Sequence, residues 1–399
     1  MIEKYYSGVI EQIYNRIGKE TRNIVMANYS NDFSIENLEV IRRYQSNEDN
    51  VFFAYSEFSY NTLVGAYEPF LDIICNMHRH FIGGSFDDFQ KECGVYYLHR
   101  QVLNSYYETG ECFREETVLL NEVAYEQRRM TKAIVDMLKR LSEVRPLMIV
   151  INRFQMASKS SIETIKYLID NPCTNIGIVL GVNVQVKGTD STVEVWDRIV
   201  ESLEDRSAIY YIGSAGQQKN HIRDTSDDEL YITTNFEQSI QEASNIMEFL
   251  DYEQARRGCR IIEHKIKFED AWIDEKSLRR FYLIYARTSV LLGEMSKAIE
   301  LTNEYKALIP ESDSEHYFSI YYFMKGTCYM YQGKLEKAEG CAKKAYDYAL
   351  LADDELLEFK SELLSVMIKM SGWYNIFFCV QDLSLIHISE PTRLGMISY

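Results

Sequence analysis

Apolar residues along the chain recur first at helical spacing, then in short unbroken runs, then at helical spacing again. Tyr6, Val9, Ile10, Ile13 and Ile17 form one stripe and predict an amphipathic helix over 3–20. "NIVMANY" (23–29) predicts a short buried strand, and "VFFAYSEF" (51–58) a second one. Between them "SIENLEVIRRYQ" (34–45) predicts a helix, with Ser34 as its N-cap candidate. A mainly helical region follows from about Tyr67 to Arg145. The pattern then switches to β-α-β-α-β: "LMIVIN" (147–152), a helix over 160–170, "IGIVLGV" (176–182), a helix over 193–204, and "AIYYIG" (208–213). Strands this apolar, separated by single helices, predict a parallel sheet covered on both faces. Such sheets bind ligands at the carboxyl ends of their strands, which is where Asn152 stands.

The polar, charged "SAGQQKNHIRDTSDDELY" (214–231) carries no helical stripe and marks a linker, taken as 214–234. Beyond it the chain repeats. "FLDYEQA" (249–255), "LGEMSKA" (292–298), "QGKLEKA" (332–338) and "SGWYNIF" (371–377) place turn positions at Leu250, Gly293, Gly333 and Gly372, spaced by 43, 40 and 39 residues. Seven residues before each stands a small residue: Ala243, Ala286, Gly326 and Ser365. Five after stand Ala255, Ala298, Ala338 and then Phe377. Small side chains let two antiparallel helices approach closely, and glycine eases the turn between them. One hairpin of this kind cannot bury its apolar face alone, so hairpins stack.

Composition sets limits on function. The 399 residues suffice for two or three domains, and 46% hydrophobic with 26% charged is ordinary for a globular protein. A formal net charge of −17 argues against broad binding to nucleic acid or to an anionic membrane. Eight scattered cysteines without CxxC pairs suit reduced thiols better than a disulfide framework. With no signal-peptide apolar block and no spanning run, the chain is expected to be cytoplasmic and away from the membrane.

The end of the chain reads differently. "LSLIHISEPTR" (383–393) resembles the translation of a transposase-type sequencing-library adapter, and Ile397–Tyr399 resembles its constant bases beyond a variable index. Residues 383–399 are therefore left out of the fold reading, and the natural sequence is expected to run on past Asp382.

Two resemblances join these parts. "FMKGTCYMYQGKLEKAEGCAKKA" (323–345) resembles the tetratricopeptide repeat in its longer form, with Gly326, Tyr329, Gly333, Ala338 and Ala345 in the family's places. "RPLMIVINRFQMASKSSIETIKYLI" resembles the Walker B strand and following helix of STAND-type P-loop ATPases, which precede such repeats in many bacterial regulators. The chain keeps the apolar strand, Phe154, Gln155, Ala157 and Ser161. It departs from the family at the two acids, replaced by Asn152 and Arg153, at the tryptophan, replaced by Met156, and at the later aspartate, replaced by Ser158. Where a P-loop should follow the first strand stands "NYSNDFSIEN" (28–37), without glycine or lysine to cradle phosphate. Asn183 and Val184 stand where the family usually has an arginine that senses the γ-phosphate.

The resemblances imply an α/β, P-loop-like parallel-sheet domain with a large helical part over 1–213, then a tetratricopeptide-like all-α solenoid over 235–382. They imply the sensory and regulatory portion of a bacterial signal-transduction protein, with a diguanylate cyclase or helix-turn-helix output domain beyond the given sequence. Without the acids, no catalytic residue, nucleotide cofactor or metal is assigned, and the chain is expected not to be an enzyme. Partners are expected to be a protein or small effector on the repeats, with no nucleic acid. An active NTPase switch and a stand-alone adaptor are the alternatives.

Other constellations carry less. Cys75, His78 and His80 have the residue types of a metal site, but only Cys75 and His78 share a helical face, which fits packing better. No GxSxG nucleophile motif occurs. The aromatics of 315–331 lack a basic groove and are expected to pack between helices, and the pairs Arg128–Arg129 and Arg279–Arg280 to be solvated.

Overall fold

The structure, a computed structural model, describes residues 2–30, 38–45, 51–59, 63–112, 119–186, 192–212, 235–268, 273–312 and 314–371. The linker over 214–234, Ser34 and the rest of 31–37, Gly372, Phe377 and the tail 383–399 lie outside the described residues. The chain divides into two units, residues 1–271 and 272–399.

In the first unit the helix α1 (Ile2–Arg16) leads into strand β1 (Ile24–Tyr29), then α2 (Glu39–Gln45) and β2 (Phe52–Glu57). Next come α3 (Phe70–Met77), which runs into a π-helical turn at His78–Ile82, then α4 (Phe86–Glu92), α5 (Tyr97–Thr109) and the long α6 (Val123–Val144). Then β3 (Leu147–Asn152), α7 (Lys159–Asp170), β4 (Ile176–Asn183), α8 (Val193–Glu204) and β5 (Ile209–Ile212) alternate. The unit ends with the hairpin α9 (Phe236–Glu248) and α10 (Tyr252–Phe268).

The five strands form one sheet in the order β2-β3-β4-β1-β5, every neighbouring pair parallel. Every residue of β3 and β4 is buried, whereas the edge strand β2 is half-exposed along its length. That is the burial an unbroken Ile/Val/Leu run needs, because both faces of an inner parallel strand are covered. The chain moves one way along the sheet from β2 to β3 to β4 to β5 and the other way from β1 to β2. Right-handed crossovers then put α6, α7 and α8 on one face and α2 on the other. The packing agrees: α7 touches both α6 and α8, while α1 touches α2 and lies over β4.

The two glycines of "IGIVLGV" explain how closely α1 lies. A methyl group at Gly177 would meet Ile13 and Ile17 at 2.9 to 3.0 Å, and one at Gly181 would fall within 3.0 Å of the Tyr6 hydroxyl. Spaced four apart on one strand, they face the same side. They form the floor on which the apolar stripe of α1 rests.

The first hairpin is tied to this unit by buried polar contacts. Asp251, in the α9–α10 turn, accepts a hydrogen bond from the Ser160 amide in the first turn of α7 (3.0 Å), and Gln254 donates to the Val64 carbonyl (3.0 Å). Asn245 bridges to the chain after α5, accepting from the Cys112 amide and donating to the Gly110 carbonyl, both at 2.9 Å.

The second unit is helical throughout its described residues: α11 (Glu275–Leu291), α12 (Met295–Ala307), α13 (Ser314–Tyr331), α14 (Leu335–Leu351) and α15 (Glu355–Ser371). Leu250, Gly293 and Gly333 all adopt left-handed backbone, with φ of 70°, 78° and 72°. After each, the next amide reaches back to a carbonyl five residues earlier: Asp251 to Ile246, Glu294 to Ser289, Lys334 to Tyr329, at 2.8 to 3.1 Å. This is the Schellman ending, in which a left-handed residue satisfies carbonyls a helix terminus leaves open. The hairpins of both units thus share one turn geometry at the repeating sequence positions. The small residues sit at helix crossings: Ala338, Ala342, Ala345 and Ala349 of α14 are fully buried, and a methyl at Gly326 of α13 would press on Cys341 and Leu364.

Candidate functional site

The carboxyl ends of β1 to β4 bring together Tyr29, Glu57, Asn152 and Asn183. Glu57 and Asn152 are register partners across β2 and β3, as are Tyr29 and Asn183 across β1 and β4. Tyr29 donates its hydroxyl to Asn152 Oδ1 at 2.6 Å, although β4 runs between their strands. Gly181 permits this, since a methyl there would lie 2.8 Å from Asn152 Oδ1. Tyr6 of α1 closes over the same spot, its ring edge-on to Tyr29 at 6.5 Å. Burial, reinforced by Tyr29, Tyr55 and Glu57, pushes the Tyr6 hydroxyl pKa well above its ordinary value, so it stays protonated. Asn152 is fully buried, and its Nδ2 has no hydrogen-bond partner among the described residues. The side chain at the end of β3 is thus part of the core under α1.

Arg153 turns to the edge strand. It is in left-handed backbone (φ 55°), an unfavourable place for a side chain with a Cβ. Its guanidinium meets Glu57 at 3.0 Å, the two side chains being 19% and 17% exposed. Glu57 also accepts a hydrogen bond from the Tyr55 hydroxyl, two residues back on the same face of β2. The carboxylate beside the end of β3 therefore comes from the edge strand and already has an arginine and a phenol as partners. The β3 and β4 ends are joined as well: the Asn183 amide donates to Gln155 Oε1 (3.3 Å) in the 3-10 turn Phe154–Met156. Asn183 in turn accepts from the Gln185 amide at 3.0 Å.

The start of α7 is a second polar cluster. Ser158 caps the helix, accepting from the Ser161 amide, and Ser161 donates to the Glu68 carbonyl at 2.7 Å. The Tyr67 amide donates to Ser160 Oγ at 2.9 Å. Asp251 lies at this helix start and is buried; burial raises its pKa, while hydrogen bonds from Ser160 and Gln254 pull the other way. Lys159 pairs with Glu253 at 3.2 Å beside it.

Of the residues singled out in sequence, Asn152 and Asn183 flank the same strand ends, whereas Arg153 is drawn to Glu57. Only Asn28, Tyr29 and Ser30 of the 28–37 stretch are described. Cys75, His78 and His80 do not converge: His78 is buried against Phe86, Phe89 and Tyr107, with its Nδ1 3.1 Å from the Tyr107 hydroxyl, while His80 is exposed. Burial, then the nearby Arg79, lowers the His78 pKa, as befits a core imidazole. Among the described residues no three His, Cys, Asp or Glu side chains group as a metal site, and no helix is long and apolar enough to cross a membrane. Sequence reasoning missed Tyr6, Glu57 and Gly181. The four-residue spacing of Gly177 and Gly181 was the one signal that could have found the crossing.

No family model, no curated protein and no solved structure matches the chain.

Proposed function

We propose that this chain is a non-catalytic regulatory module of a signal-transduction protein. In it, a STAND-like α/β scaffold without hydrolytic chemistry carries tetratricopeptide-like helical hairpins that receive a protein or small effector. One observation supports the non-catalytic part above the others. At the end of β3, Asn152 is held under α1 by Tyr29, and Arg153 is paired with Glu57. Phosphoryl transfer from a triphosphate needs carboxylate oxygens to hold Mg²⁺ and a group to orient the attacking water. Here the β3 end offers an amide and a guanidinium, and the adjacent carboxylate is neutralised within the fold.

The hairpin half of the reading rests on the recurring left-handed turns at Leu250, Gly293 and Gly333 and the small residues that flank them. Stacked hairpins of this kind present extended surfaces for partners. In such a module the output is the free-energy difference an occupant makes between two arrangements, so no chemistry is required of the chain itself.

Calorimetric titration with ATP and GTP, with and without Mg²⁺, tests the reading together with a phosphate-release assay. The expected result is no Mg²⁺-dependent binding and no turnover. Tight Mg²⁺-ATP binding accompanied by hydrolysis would overturn it and favour an active NTPase switch.

A further inference from the structure

The first unit contains a cavity of about 340 Å³ that none of the contacts above explains. It lies between the α9–α10 hairpin and the segment from Leu63 into α3, with Tyr106 of α5 at its side. Its walls are mostly apolar, supplied by Leu71, Ile246, Phe249 and Ile262 among others. Two carboxylates also line it, Glu68 and Glu242, and no lysine, arginine or histidine does. A volume near the lower end of the roughly 300–1,000 Å³ of ligand pockets suits a compact organic molecule.

The charge balance inside is one-sided. Glu68 accepts a hydrogen bond from the Gly65 amide at 2.9 Å and has no cationic partner among the described residues. Among the described residues Glu242 accepts only from Gln238, at 3.0 Å, on the same helix. Behind Tyr106 stands a third carboxylate, Asp72, which accepts the Tyr106 hydroxyl at 3.4 Å. Burial, then Asp72 and Glu242 close by, raises the Glu68 pKa above its ordinary value. Glu68 and Glu242, both half-buried beside one apolar space, are costly there without a cation. An occupant bringing one positive charge and an apolar body relieves both costs at once.

We propose that this cavity is a binding site for a small organic cation, an amine or quaternary ammonium with an apolar substituent. Its charge sits between Glu68 and Glu242, and its body lies against Leu71, Ile246 and Phe249. An aromatic wall beside the charge adds the attraction of a cation for a ring face. Because one wall is the first hairpin and the other the α/β unit, the occupant braces the two against each other. The site stands on the cavity alone, however the nucleotide question resolves.

The test is thermal-shift and calorimetric titration of the full chain with propylammonium, hexylammonium and 2-phenylethylammonium chlorides. Phenylacetate and 2-phenylethanol serve as anionic and neutral counterparts, at constant ionic strength. Saturable binding by the amines, strengthening with the apolar body and absent for phenylacetate, is expected. The double variant Glu68→Gln/Glu242→Gln keeps an acceptor for the Gly65 amide and removes two like charges, so its circular dichroism should match the parent; its amine affinity should fall by about tenfold or more. Three results would each sink the proposal: no amine binding, equal binding of phenylacetate, or undiminished amine binding by the folded double variant.

Discussion

Gly181→Ala is the substitution that most directly probes how the candidate site is built. The new methyl would fall within 3.0 Å of the Tyr6 hydroxyl, 2.8 Å from Asn152 Oδ1 and 3.4 Å from Asn152 Cα. Ordinary contact begins near 3.4 Å, so the first two groups must each retreat by several tenths of an ångström. Neither has room, since Tyr6 and Asn152 are both fully buried. Overpacking of this kind costs about 1–3 kcal/mol. Displacing Asn152 also weakens its bond from Tyr29, worth about 1 kcal/mol. The loss of glycine's freedom in the unfolded chain offsets only about 0.4–1 kcal/mol. The net expectation is a destabilisation of about 1–3 kcal/mol.

Tyr6→Phe removes the nearest obstruction, the hydroxyl within 3.0 Å of the new methyl. In the Tyr6→Phe/Gly181→Ala double variant the alanine should therefore cost less than it does alone, by at least about 1 kcal/mol. Native-state hydrogen exchange of peptides from β1, β3 and β4 reads the opening free energy of this sheet separately from the helical second unit. Additivity of the two changes within about 0.5 kcal/mol, or a Gly181→Ala cost below that figure, would refute the close crossing of α1 over β4.

Three further outcomes follow from the same contacts. Arg153→Ala should destabilise the first unit by about 1–3 kcal/mol by stranding the half-buried Glu57, and adding Glu57→Gln should recover part of that loss; equal losses in urea unfolding of the single and double variants would deny the pair its weight. Burial raises the pKa values of Asp251, Glu68 and Glu163. A carboxyl whose folded pKa is raised penalises the fold at high pH, and the penalty is relieved as pH falls through the folded pKa, so the urea midpoint should rise as pH is lowered towards the ordinary values of 3.8 for Asp251 and 4.5 for the two glutamates. Asp251→Asn should flatten that rise. Glu126, whose pKa His99 lowers, acts in the opposite sense, and its contribution is lost as pH falls below its ordinary value of 4.5. Within the hairpin of α13 and α14, Gly326→Leu should cost about 1–3 kcal/mol against Cys341 and Leu364, whereas Gly340→Ala, with nothing within 4 Å of the new methyl, should raise the unfolding temperature through about 0.5–1 kcal/mol of helix propensity.

How much of this the sequence disclosed depends on the range of the interaction. β3 and α8 occupy the predicted 147–152 and 193–204, because a dense apolar run or a clear stripe is local information. The turn positions Leu250, Gly293 and Gly333 were equally readable, since each Schellman ending is made within six residues. α1 ends at Arg16, short of the expected 20, where Gly18 takes φ of 78°. The environment of Asn152 was not legible. Its place at a strand end suggested exposure to a ligand, yet the hydrogen bond from Tyr29, 123 residues away in sequence, holds it in the core. Nor did "FLDYEQA" reveal that its aspartate would serve α7 as well as its own hairpin.

That double use of Asp251 links the two regions of interest. The carboxylate sits in the turn of the first hairpin, accepts the Ser160 amide of α7, and lies before the first turn of α10, where the Gln254 amide reaches it at 3.4 Å. Two helix starts thus share one buried carboxyl group, an arrangement in which the amides of both favour the charge that burial disfavours. From Ser160 the chain leads directly back through the 3-10 turn to Arg153 and Asn152, while the walls of the cavity belong to the same hairpin. A shift of the hairpin turn therefore loads the start of α7, and through one short covalent segment the ion pair with Glu57. If the cavity takes a cation, the position of α7 is where its binding free energy would be felt, and the β3 end is where it would be read.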